Sequence, residues 1–243
     1  MENQHRSEPG RRGTVPESWC VILPVRRFSD AKSRLGAELP DQPELRAELA
    51  RSFALDVLST LARCPSVDRT VIVGEAGPDL VRLLGRSGEP GQTDHVAAIS
   101  APPGLNPAVE HGERWARMRN HRRIAVIAAD LPCLAVIDVE TVLAAASLAA
   151  RGFVVDEGRA GTTMLTTSGP RLRPSFGANS AQQHLASGAV PLPATAAARL
   201  DVDQLDALLR AQLLGVGGAT AEVLARNTVE PPRAPGVGRL DRR

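Results

Sequence analysis

Asp130 ends an apolar run, Ile124-Ala125-Val126-Ile127-Ala128-Ala129, and is followed by Leu131-Pro132. In open α/β sheets ligands bind beyond the carboxyl ends of the strands, so a carboxylate there is placed to hold a cation; a turn or helix cap ahead of Pro132 is the plainer reading. Asp201 and Asp203 are separated by one residue. On an extended segment both would point to one face and could share a divalent ion, whereas at a simple strand end Asp203 would cap the next helix. Three like charges brought together are costly unless a hard cation neutralises them, and Mg²⁺ with oxygen ligands fits that need. Lys32 is the only lysine among 29 basic residues. A compact ammonium on a flexible stem reaches a phosphate where a planar guanidinium does not; the alternative is an ordinary surface lysine. The chemistry suggested is metal-assisted handling of phosphate groups.

Two glycine-containing stretches could hold an anion through backbone N–H groups, Gly161-Thr162-Thr163 and Phe176-Gly177-Ala178-Asn179-Ser180. Gly177 permits close approach, and Ser180 stands where a helix starts, although ordinary turns use the same residues. The sequence has no G-x-x-x-x-G-K-[ST] loop and no G-x-G-x-x-G after its first apolar run, which disfavours a P-loop nucleotidase and a standard dinucleotide site. His111, His121 and His184 show no ligand spacing and read as helix-surface or turn residues.

The elements that must position these groups alternate between short β-branched runs and longer stretches of helical period, the pattern of βαβ units around a mainly parallel sheet. Strands are predicted at Val21–Val25, Thr70–Gly74, Val96–Ile99, Ile124–Ile127, Phe153–Val155, Met164–Thr166 and Arg199–Val202. Asp41 with Glu44 predicts a capped helix carrying Leu45, Leu49, Phe53, Leu58 and Leu61 on one face. Further helices are expected at Pro78–Leu84, at Val139–Ala149, at Ser180–Ala186 closed by Gly188, and twice near the C-terminus. Gly104-Leu105-Asn106-Pro107 opens another, with Asn106 able to cap and Pro107 suited to the first helical position.

With 43% hydrophobic and 23% charged residues over 243 positions, the chain suits one α/β core. Residues 1–18 and 228–243 are polar and rich in Pro, Gly and Arg, so they read as flexible tails flanking a domain at 19–227. Aromatic content of 2% and a net charge of +2 leave neither stacking platforms nor a concentrated positive field, which argues against nucleic-acid binding. Three cysteines with no pairing or metal-ligand pattern, no signal-peptide run and no membrane-spanning run suggest a cytoplasmic protein.

The ordered set Pro24-Val25, Ala31-Lys32-Ser33-Arg34-Leu35, Gly104-Leu105-Asn106, Ala129-Asp130-Leu131-Pro132, Gly161-Thr162-Thr163, Phe176-Gly177 with Ser180, and Leu200-Asp201-Val202-Asp203 resembles the guanylyltransferases of coenzyme F420 biosynthesis. That family acts on phosphoenolpyruvate or 2-phospho-L-lactate. The resemblance runs from about Trp19 to Arg226 and rests on the order of the motifs. It implies a single-domain Rossmann-like nucleotidyltransferase fold related to the molybdenum-cofactor guanylyltransferases. It further implies that GTP and phosphoenolpyruvate give enolpyruvoyl-2-diphospho-5′-guanosine and pyrophosphate. Carried over, Thr162, Gly177 and Ser180 would hold the three-carbon phosphoacid, and Asp130, Asp201 and Asp203 the Mg²⁺. Asp130 and Lys32 would be the catalytic pair, with Lys32 on the GTP phosphates. Asn106 is a nucleotide contact if it is not a cap. Where the family reads Pro-Val-Lys, this chain has Pro24-Val25-Arg26, which passes any phosphate contact of that lysine to Arg26. The competing readings are a related nucleotidyltransferase with another phosphorylated acceptor and a non-catalytic nucleotide-binding module; the tails could dock a downstream transferase.

Overall fold

The computed structural model describes residues 18–28, 42–74 and 95–227. Lys32, the Asp41 cap, the helix expected at 78–84 and nearly all of both tails lie outside the described residues. Strand β1 (Trp19–Val25) lies in the interior of the sheet and is apolar on both faces. Its odd-numbered residues Val21 and Leu23 pack with α1 (Pro43–Leu61) and α3 (Val136–Ala146), while Cys20 and Ile22 pack on the opposite side with α2 (Leu105–Arg117). Period-2 alternation with both faces covered is what a central parallel strand requires.

Seven strands run in the order β3 (Val96–Ser100), β2 (Val67–Gly74), β1, β4 (Arg123–Ile127), β6 (Thr162–Thr167), β5 (Arg151–Val155), β7 (Val190–Pro191). Pairs β1·β2, β1·β4, β2·β3 and β5·β7 are parallel; β6 is antiparallel to both neighbours. The mainly parallel expectation therefore stands, with one reversed strand that hydrophobic periodicity could not reveal. Because β6 runs backwards, its first residues lie beside the last residues of β4 and β5, and the Ala128 N–H donates to Thr163 O at 2.9 Å.

Several expected elements are corrected. The strand expected at Arg199–Val202 is instead the end of a short helix, α5 (Ala196–Arg199), followed by an unladdered stretch joined to the β4 exit by one bond, from Val202 N–H to Asp130 O at 3.0 Å. Helix α3 starts at Val136 rather than Val139, because Asp138 accepts the Ala135 N–H at 2.8 Å and closes the first turn; it ends at Ala146. The cap of α2 is Gly104, at φ +97°, so Asn106 and Pro107 already lie inside the helix. Strand β7 carries no sequence signal beyond two residues.

The last two helices, α6 (Leu205–Leu214) and α7 (Gly218–Arg226), cover the outer face of α1, where Leu45, Leu49 and Phe53 meet Val202, Leu205 and Leu208. Helix α7 buries only Thr220 and Val223. Burying one valine stabilises by roughly 1.5–3 kcal/mol, so polar contacts matter as much to its seating. Asp56 on α1 accepts the N–H groups of Ala219 at 2.8 Å and Thr220 at 3.0 Å, and Ser52 Oγ meets Thr220 Oγ1 at 3.2 Å. The three cysteines are free and buried, with desolvation pushing the Cys20 and Cys64 thiols up to about 12, so they act as core residues. Among the described residues no helix is long and apolar enough to cross a membrane.

Candidate active site

A cleft of about 620 Å³ opens over the carboxyl ends of β1, β4 and β5 and the start of β6. Arg26, Asp130, Thr162, Gly177, Ser180, Asp201 and Asp203 all line it, so residues up to 177 positions apart in the chain are brought together. Lys32 lies outside the described residues. Asn106 is not on the lining; its amide is engaged at both ends by Phe176, donating to the carbonyl at 3.0 Å and accepting the N–H at 2.8 Å. It therefore fixes the loop beside the cleft.

One wall is acidic. Burial first, then the charges of Asp130, Asp203 and Asp156, push the Asp201 carboxyl up to about 6. Like charges held this close by the fold raise one another's pKa, and a nearby positive charge would lower that cost. Among the described residues no three such side chains are already drawn into a cation cage. Asp203 is not the cap of α6, a position held by Gln204. Asp156, absent from the sequence reading, also lines the cleft. It follows β5 as Asp130 follows β4, so the same strand-end logic finds it. Asp156 shapes the turn into β6: its Oδ1 accepts the Ala160 N–H at 3.0 Å, and a Cβ on Gly161 would stand 2.4 Å from its Oδ2. A larger residue at 161 would force the Asp156 side chain to shift.

The facing wall carries hydroxyls and open backbone. Ser180 Oγ donates to Thr162 Oγ1 at 3.1 Å, and Gly177 sits at φ +133° with nothing within 4 Å of a Cβ position, so its conformation rather than crowding calls for glycine. Behind this wall stands His184, corrected here from a surface or turn residue to a fully buried one. Its Nδ1 lies 3.0 Å from Thr162 Oγ1, its Nε2 accepts the Ser175 N–H at 3.0 Å, and Phe176 meets its ring edge-on at 5.3 Å. The helical spacing from Ser180 to His184, which places both on one face of α4 (Ser180–Ala186), was the available signal.

Residues 168–176, which join β6 to this wall, form no helix or strand yet are tied down along their length. Arg117 donates to Gly169 O at 3.0 Å and to Pro170 O, buried Glu113 accepts the Leu172 N–H at 3.1 Å, and Arg151 donates to Leu172 O through Nε at 3.0 Å.

Burial, helped by the Arg151 charge, pushes His184 down to about 4. Its folded value lies below its unfolded one, so the stability it supports is complete above about pH 6.5 and is lost as pH falls toward 4. Between pH 7.5 and pH 5 the unfolding free energy of the native chain should fall about 2 kcal/mol further than that of His184→Gln. Denaturant titrations at the two pH values check this; equal losses would show that folding leaves the His184 pKa unshifted.

The fold is shared with solved synthases of 4-diphosphocytidyl-2C-methyl-D-erythritol. The chain superposes on a solved 4-diphosphocytidyl-2C-methyl-D-erythritol synthase with a TM-score of 0.56 and 16% identity, covering 82% of this chain and 99% of that one. The counterpart from Anaerococcus prevotii gives 0.52 and 8%, over 81% and 95%. At such identities the likeness establishes the fold alone. The sequence pattern of the family described as "Guanylyl transferase CofC like" matches residues 19–226, and the chain belongs to that family. It is 39% identical over 215 residues to the phosphoenolpyruvate guanylyltransferase of Streptomyces coelicolor, covering 86% of this chain and 96% of the relative. It is 37% identical over 217 residues to that of Geodermatophilus obscurus (85% and 94%) and 35% identical over 224 residues to phosphoenolpyruvate guanylyltransferase 2 of Rhodococcus jostii (90% and 97%).

Proposed function

We propose that this chain transfers the guanylyl group of GTP to phosphoenolpyruvate, giving enolpyruvoyl-2-diphospho-5′-guanosine and pyrophosphate in coenzyme F420 biosynthesis. The names of its relatives support the reaction, and one observation in the chain itself carries it: a single cleft sets an acidic wall, Asp130, Asp201 and Asp203, against a wall of hydroxyls and open backbone, Thr162, Gly177 and Ser180. An acidic wall alone would repel both substrates, which are anions. The donor set, all carboxylate oxygens, fits Mg²⁺. Asp130, Asp201 and Asp203 would hold it, and when bound it supplies charge neutralisation for the phosphates.

The remaining steps belong to the chain's own groups. Thr162 and Ser180 orient the acceptor phosphate, Ser180 through the hydrogen bond it gives to the Thr162 hydroxyl, with Gly177 leaving the backbone open to it. Arg26, at the exit of β1, and Lys32 hold the GTP phosphates. An acceptor phosphate oxygen attacks the α-phosphorus, the bond to the β-phosphate bridging oxygen breaks, and pyrophosphate departs. No protein nucleophile is required, because that oxygen is already ionised at neutral pH; positioning and electrostatics do the work. Asn106 acts on the site through Phe176.

Pyrophosphate release from GTP and Mg²⁺ should require phosphoenolpyruvate. Measured against 2-phospho-L-lactate, a sugar phosphate and no acceptor, preference for the lactate would reassign the substrate, and silence with every acceptor despite GTP binding would point to a binding module.

A further inference from the structure

His184 takes no part in the reaction described above, yet it touches the acceptor wall from behind and is fully buried. Its two ring nitrogens meet different partners. The Ser175 backbone N–H can only donate, and it donates to Nε2 at 3.0 Å. A neutral imidazole has one N–H and one bare nitrogen, so Nε2 is the bare one and Nδ1 carries the hydrogen. Nδ1–H therefore donates to Thr162 Oγ1, 3.0 Å away. Ser180 Oγ donates to the same oxygen at 3.1 Å. Two incoming hydrogen bonds occupy both lone pairs of the Thr162 hydroxyl, and the role left to its own hydrogen is donation. Thr162 lines the cleft.

We propose that His184 is a positioning residue: held as the Nδ1–H tautomer by Ser175, it fixes the Thr162 hydroxyl as a hydrogen-bond donor toward the cleft and so selects an anionic oxygen of the acceptor. The edge-on Phe176 ring at 5.3 Å and the Phe153 ring at 5.9 Å keep the imidazole from turning. Its depressed basicity agrees, since an imidazolium could not accept from Ser175. The identity of the anion rests on the proposed reaction; the tautomer does not.

Two amide replacements separate the nitrogens. His184→Gln places its amide near the Nε2 position, keeping an acceptor for Ser175 and losing the donor to Thr162. His184→Asn places it near Nδ1, keeping that donor. His184→Gln should raise the KM for phosphoenolpyruvate about tenfold to a hundredfold, the worth of one hydrogen bond to a charged group. The KM for GTP and kcat should move less than about threefold, and His184→Asn should hold the acceptor KM within about threefold of the native value. In a Thr162→Val background the His184→Gln effect should vanish. Equal rises for both replacements, a loss confined to kcat or to GTP, or an undiminished effect beside Thr162→Val would overturn the proposal.

Because a buried histidine can be needed for folding, the tautomer is also read on the unaltered chain, by ¹⁵N NMR of the histidine side chains at pH 7. Protonated Nδ1 with bare Nε2 at His184 supports the proposal, and the opposite tautomer or an imidazolium overturns it. If the native chain releases no pyrophosphate with any acceptor, the proposed reaction falls and the tautomer measurement alone decides.

Discussion

Asp130→Ala should lower acceptor-dependent pyrophosphate release about 10³-fold, with no loss of thermal stability. The rate effect follows from removing a carboxylate at the β4 exit, on the wall proposed to hold the cation, where a preorganised electrostatic contact acts on the developing charge. The stability effect has a separate origin. Asp130 is the largest of the charges that, after burial, hold the Asp201 carboxyl up near 6. Removing it relieves that repulsion in the folded state, which offsets the loss of the side chain's own contacts, so the melting temperature should stay level. The main-chain bond from Val202 N–H to Asp130 O does not depend on the side chain and should persist. Pyrophosphate assays paired with thermal melts give both numbers. Retained turnover would place the cation elsewhere, and a sharp drop in melting temperature would make Asp130 a structural residue.

The largest effect on stability is expected far from the cleft. Asp56→Ala should cost about 3 kcal/mol, lowering the melting temperature by roughly 6–12 °C for a domain of this size. The carboxylate accepts two N–H groups at the start of α7, and its loss leaves both donors without that partner. Helix α7 has little apolar burial with which to offset this. Activity per folded molecule should be unchanged, because Asp56 does not line the cleft. A denaturant titration resolves the difference; a shift below about 1 kcal/mol would mean that Val223 and Thr220 seat the helix without it.

The parts of this molecule legible in its sequence are those written in local pattern. The buried stripe from Leu45 to Leu61, the apolar runs of β1, β2 and β4, and the strand-end position of Asp130 each follow from spacing alone. The grouping of Asp130, Asp201, Asp203, Thr162, Gly177 and Ser180 came from the order of family motifs, and the cleft contains all of them. What stayed hidden depends on partners distant in the chain. The direction of β6 leaves no mark on its alternation. Asn106 has the chemistry of a cap, and nothing nearby signals that its amide is taken by Phe176, 70 residues on. Asp201 and Asp203 looked like the end of a strand because they alternate with apolar Leu200 and Val202, yet one hydrogen bond to Asp130 replaces the ladder. A lone histidine within a helical stretch is ordinary until Ser175 and Thr162 are brought to its two nitrogens.

The path from β6 to Gly177 shows what the many side-chain ties to residues 168–176 accomplish. Ordering a backbone costs on the order of 1–2 kcal/mol per residue in conformational entropy, so fixing this stretch amounts to roughly 10 kcal/mol. That cost is met when the chain folds, by Glu113, Arg117, Arg151, Asn106 and His184, and not when a ligand arrives. A three-carbon acid offers few atoms with which to order a loop. Its binding energy can instead go into being held still, because the wall proposed to meet it is preorganised.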